Sequence, residues 1–253
     1  MGKRGQGMQF NWIFVVVAGA IILAMFTGFA VKYVDLRESI NDAEIGRGLD
    51  QIFLSAKSTA QYKTFDIGRE FDINFFCDES VNEFIINKNY GQEYDYVLFG
   101  GDYEDVEELI IWSREFKHPF RVDNIIYVFD PRKTVAVIGD AQGFEDGLPE
   151  GIQVVNQNQA DIVVNAGPNE DLAFVYARMV SDDETYNCGV ELLQDKFENV
   201  KSIYYGKASN MPGCASIYAD LRTELTMLSL DSDVESLEDK NRDLSDVGCE
   251  VVF

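Results

Sequence analysis

Four cysteines (Cys77, Cys188, Cys214 and Cys249) and a single histidine, His118, have the side chains best suited to chemistry in this 253-residue chain. An even cysteine count in an exported domain points to disulfides. None of the four forms a closely spaced zinc-ribbon pair, so no metal ligands are assigned. A Ser-His-Asp or Cys-His site would have to use His118. It stands in Lys117-His118-Pro119-Phe120, where the proline shapes the entry to a strand. A structural histidine is therefore expected, with no catalytic residue and no enzymatic activity.

Other chemistry finds little support. No Walker loop and no dinucleotide-binding glycine pattern occurs, and no cofactor is expected. Gly139-Asp140-Ala141-Gln142-Gly143 follows a strand as a phosphate loop does, but it lacks the lysine, and Asp140 and Glu145 would repel phosphate. Asp140, Glu145, Asp146 and Glu150 supply the oxygen ligands calcium takes, without EF-hand spacing; a solvated acidic loop is the simpler reading. With 44 Asp and Glu residues, no glycosidase-type carboxylate pair can be picked out. The formal net charge of −23 disfavours nucleic acid as a partner. With 46% hydrophobic residues, a real core is expected.

The elements that carry these residues begin with a membrane segment. Residues 12–31, WIFVVVAGAIILAMFTGFAV, hold no charge. As a helix they span roughly 30 Å, the thickness of a bilayer's hydrocarbon core. A cleaved signal peptide, with Gly28 and Ala30 before the cut, is the competing reading, but its apolar region runs about 7–15 residues. Trp12 and Tyr33 suit the two interfaces. Lys3 and Arg4 precede the span and all the acids follow it, which places residues 1–11 in the cytoplasm and residues 32–253 outside the cell membrane. The partner of Trp12–Val31 is then membrane lipid. Ala20, Ala24 and Gly28 recur every fourth residue and form a face on which a homo- or hetero-oligomer can pack. Ordinary membrane-helix composition accounts for the same spacing.

An α+β fold is expected beyond the span. Residues 32–61 continue as a membrane-proximal helix, with Ile45, Leu49, Ile52 and Ala56 on one stripe and Gly46 and Gly48 loosening it. Residues 62–180 read as a mixed α/β domain. Phe71, Ile73 and Phe75 alternate into Cys77, and further strands are expected at Phe84–Ile86, Tyr96–Phe99, Ile125–Phe129, Thr134–Ile138, Ile152–Val155 and Ile162–Val164. After Gly100-Gly101, the acids Asp102, Glu104 and Asp105 suggest a helix reaching Phe116, and Leu172–Met179 reads as strand. Residues 181–253 are helical with an acidic C-terminus: Tyr186 to Tyr204 step by 4 and 3, Met211-Pro212-Gly213 is a break, and a second stripe begins at Ile217. Four cysteines allow three pairings. One straight helix over 186–209 separates Cys188 and Cys214 by roughly 35 Å, and an antiparallel helix returning toward Cys188 suggests Cys188–Cys249 with Cys77–Cys214. A break near Asn199 reopens the pairing of Cys188 with Cys214.

Residues 3–23, KRGQGMQFNWIFVVVAGAIIL, resemble the start of uncharacterised single-pass membrane proteins of small-genome archaea. That resemblance implies an archaeal envelope location and no particular activity. Lys3-Arg4-Gly5-Gln6 is also similar to the start of archaeal type IV pilin precursors, where a peptidase cuts beside the Gly-Gln pair. The glutamate usual at the fifth mature residue is replaced here by Phe10. The expected function is an acidic exterior domain acting in binding or assembly. The alternatives are a membrane-anchored carboxylate- or metal-dependent hydrolase and a pilin-like filament or secretion subunit.

Overall fold

The computed structural model describes residues 6–78, 81–139, 142–168, 170–211, 213–230 and 232–253. Lys3, Arg4 and Gly5 of the charged, pilin-like start, Asp140 and Ala141 of the acidic loop and Pro212 of the helix break lie outside them.

The first helix, α1 (Gln6–Ser58), is 53 residues long, about 80 Å at 1.5 Å per residue. Its first part is apolar and long enough to cross a membrane or to serve as a signal sequence, with mean hydropathy 2.5 over its most apolar window. From Trp12 to Ile40 every described side chain except Ala18 is exposed. The expected stripe then takes over: Ile45, Leu49, Ile52 and Ala56 are all buried, and Phe53 joins them. Gly46 and Gly48 do not loosen the helix. A Cβ on Gly46 would lie 2.1 Å from the Tyr90 ring and one on Gly48 3.3 Å from Phe65, so the glycines let aromatic rings from the sheet lie against the helix backbone.

Those rings belong to a six-stranded sheet. Its strands are β1 (Tyr62–Asp78), β2 (Val81–Ile86), β3 (Tyr90–Glu93), β4 (Leu98–Phe99), β5 (Tyr103–Lys117) and β6 (Arg121–Phe129), in the order β3-β2-β1-β5-β6-β4. All neighbours are antiparallel except β4 and β6. The helix expected after Gly100-Gly101 is instead the central strand β5. Its side chains alternate between two cores: Val106, Leu109 and Ile111 pack on the α1 side, and Ile110, Trp112 and Phe116 on the other. Burial on both faces removes the polar alternation that marks a strand in sequence.

The far side of this sheet is covered by a small parallel sheet and two helices. Strands β7 (Thr134–Gly139), β8 (Gln153–Val154) and β9 (Ile162–Ala166) run in the order β8-β7-β9. The segment expected as a strand at Leu172–Met179 is helix α2 (Leu172–Val180), started by Asp171, whose carboxylate accepts the Ala173 N–H at 2.8 Å. Five of its nine residues are buried, on more than one side, so no clean helical stripe marks it. Helix α3 (Asp183–Asn210) is unbroken, and α4 (Ala215–Met227) and α5 (Glu235–Asp246) form a hairpin beyond it.

All four cysteines are paired, but not as expected. Cys77 joins Cys188, with Cα atoms 5.9 Å apart, and Cys214 joins Cys249, at 6.5 Å. The continuous α3 keeps Cys188 from Cys214, as its length requires. Because α4 and α5 are of nearly equal length, 13 and 12 residues, the returning chain reaches the start of α4 and not that of α3. An N-terminal apolar helix followed by two disulfides marks a secreted or membrane-anchored exterior protein.

Candidate functional site

A cavity of about 600 Å³ opens where the β5–β6 turn, the start of α2, the first half of α3 and the α4–α5 link meet. Each element delivers side chains for a local reason. Phe116 comes from the end of β5, its ring turned into the second core. His118 occupies the β5–β6 turn, whose His118–Pro119 peptide is cis and whose His118 N–H donates to the Phe120 carbonyl at 2.9 Å. Tyr186, Val190 and Gln194 are spaced by four on α3 and so share one face. Asp171 and Phe174 come from the first turn of α2.

The polar groups have distinct tasks. His118 Nε2 lies 2.9 Å from the Ser229 carbonyl, which can only accept, so Nε2 carries the proton. That bond ties the β5–β6 turn to the α4–α5 link, and the His118 ring lies nearly parallel to Phe116 with centroids 6.4 Å apart. His118 thus has a hydrogen-bond partner in the fold, and it also lines this cavity. Glu170 is paired with Arg178, Oε2 to Nη2 at 2.8 Å, and accepts the Gly167 N–H at 2.9 Å. The Arg178 hydrogen bonds hold its carboxyl below the usual glutamate range, against the opposing effect of partial burial.

A smaller cavity of about 230 Å³ shares Phe116 and Asp171 and adds Arg114. The Arg114 guanidinium stacks over Tyr176 at 5.1 Å. Its Nη1 is buried and has no hydrogen-bond partner among the described residues. Gly147 is required beside it, because a Cβ there would lie 2.1 Å from the Tyr176 hydroxyl and 2.5 Å from Arg114 Nη1. Tyr176 donates to the Phe144 carbonyl at 2.8 Å, and burial raises the pKa of its hydroxyl.

The remaining sequence candidates separate. Gly139, at φ +109°, ends β7 where a Cβ would strike the Ala166 carbonyl at 2.1 Å; it serves the close approach of β7 and β9. Among the described residues no group of three or more His, Cys, Asp or Glu is placed to hold a metal ion. The buried carboxylate of Asp42 accepts from Asn87 and Asn89 at 2.7 and 3.0 Å and fixes the β2–β3 turn. Ala20, Ala24 and Gly28 lie on the exposed part of α1, and nothing approaches within 4 Å of a Cβ on Gly28.

Sequence reasoning missed Glu170, Asp171, Phe174 and Arg114. An aspartate directly before an apolar run is the signature of a helix start and offered the one readable pointer to Asp171. The acidic composition hides Glu170 among 44 carboxylates. Neither a model of a known protein family, nor a curated protein, nor a solved structure matches this chain.

Proposed function

We propose that this protein is a single-pass envelope protein, N-terminus in the cytoplasm, whose exterior domain acts in binding or assembly. The observation that carries this reading is the continuity of α1. One helix leaves an exposed apolar segment and becomes, without a break, the helix that covers the α1 side of the sheet. A cleavage after Gly28 or Ala30 would leave Val31, Tyr33, Val34, Leu36 and Ile40 as an exposed apolar stub, whereas a retained anchor places the first of these at the membrane boundary. The sequence resemblance of residues 3–23 supports an archaeal envelope. Ala20, Ala24 and Gly28 supply the helix face for a second copy or a different single-span partner.

Protease added to intact cells is expected to remove a C-terminal tag. A tag protected until the membrane is opened overturns the orientation. A pilin-like subunit is the second reading, favoured by the same unbroken helix, since exposed apolar halves can pack side by side while the folded halves face outward. Its signature is an intact mass showing cleavage beside Gly5-Gln6; a mass that retains residues 1–5 removes it.

A further inference from the structure

We propose that the cavity between the β5–β6 turn, α2 and α3 binds a primary organic ammonium ion, its N–H donors on Asp171 and neighbouring acceptors and its carbon body against Phe174 and Phe116. The proposal deepens the binding reading above and rests on it.

The volume, about 600 Å³, is that of a small-molecule site. Its charge is one-sided. No lysine or arginine lines it among the described residues. Glu170 is already closed by Arg178, so it asks nothing further of a ligand. Asp171 is different: it is exposed, one oxygen accepts the Ala173 N–H, and no cationic side chain lies within 4 Å among the described residues. Arg114 shares the adjoining cavity with it without forming an ion pair.

Gln194 adds an uncharged acceptor to the lining. Gln194 donates its amide N–H to Glu198 at 3.0 Å, which leaves its carbonyl oxygen. A ligand that pairs with Asp171 and this carbonyl brings donors. Phe174 stands edge-on to Phe116, with centroids 5.8 Å apart at 74°, and offers an apolar wall whose ring faces attract a cation. The net charge of −23 steers cations toward the domain and anions away.

The test uses the full-length protein in phosphatidylcholine nanodiscs, with empty nanodiscs subtracted, and three probes of one shape: pentylammonium, 1-pentanol and pentanoate. Ligand-observed NMR titration near pH 7 is expected to show pentylammonium binding about tenfold tighter than the other two. Asp171→Asn keeps a good helix cap while removing the charge, and should abolish that preference while leaving pentanol binding unchanged. Phe174→Leu is the second variant and should weaken all three. Equal binding of the three probes overturns the proposal, as does a preference for pentanoate, which would assign the site to Arg114. A preference for pentylammonium that survives Asp171→Asn overturns it too, because the acidic surface at large would then be responsible. Binding of pentanol without a preference for pentylammonium overturns it as well. If none of the probes binds, the proposal fails, and the tag assay still decides the envelope reading.

Discussion

Replacing Cys77 and Cys188 together by serine should lower the unfolding free energy by about 4 kcal/mol. This bond closes a loop of 111 residues, against 35 for Cys214–Cys249. Cross-linking removes conformational freedom from the unfolded chain, and the loss grows with the logarithm of loop length. The longer loop should therefore be worth about 1 kcal/mol more than the shorter one. The folded state gives the same ranking a structural sense. Cys77–Cys188 ties the end of a sheet strand to the second turn of α3, whereas Cys214–Cys249 closes a helical hairpin already held by Tyr218, Leu221, Leu225, Leu237 and Leu244. Denaturant titration of the two double-serine variants measures both costs. A larger loss for Cys214/Cys249 would contradict the argument. Non-reducing mass spectrometry of protein from native membranes should find no alkylatable thiol, and four free thiols would count against an exterior domain as well.

How far the sequence could be read depended on which faces each element buries. The stripe Ile45, Leu49, Ile52 and Ala56 was readable because α1 covers only one side of the sheet, leaving a polar opposite face. Strand β1 was readable through Phe71, Ile73 and Phe75 for the same reason. Strand β5 and helix α2 were misassigned because both lie inside, in contact with apolar groups on more than one side, so period ceases to distinguish helix from strand. The glycines at 46 and 48 are destabilising in an isolated helix, yet the Tyr90 ring occupies the space of a Cβ at 46 and the Phe65 ring packs tightly against 48. The site was the least readable part. Its walls come from residues as distant as Phe116 and Ser232, joined only when the α4–α5 link folds back over the β5–β6 turn. The disulfide pairing failed at the same level, since it depends on where that helical hairpin returns.

Phe53→Ala is expected to cost about 3–5 kcal/mol, the range for removing a fully buried aromatic ring from a core. Phe53 has no exposed surface and meets Phe84 edge-on at 5.5 Å and Tyr96 at 6.0 Å. Its deletion leaves a cavity between α1 and the sheet, where the relatively rigid strands β1, β2 and β5 cannot collapse to fill it. The comparison that gives the number meaning is Phe26→Ala, on the same helix. Phe26 is exposed, and the proposed anchor places it in lipid, so its loss should leave the domain's unfolding free energy within about 0.5 kcal/mol of wild type. Denaturant unfolding followed by Trp112 fluorescence, in nanodiscs for all three proteins, separates the two. A loss under about 1 kcal/mol for Phe53→Ala would mean that α1 is not part of the domain core, and one continuous helix from the apolar segment to the sheet would have to be abandoned. A large loss for Phe26→Ala would mean instead that the N-terminal half folds against protein rather than lipid. The expected contrast between one helix's two halves follows from burial alone: the same side chain contributes to the fold only where the sheet is there to cover it.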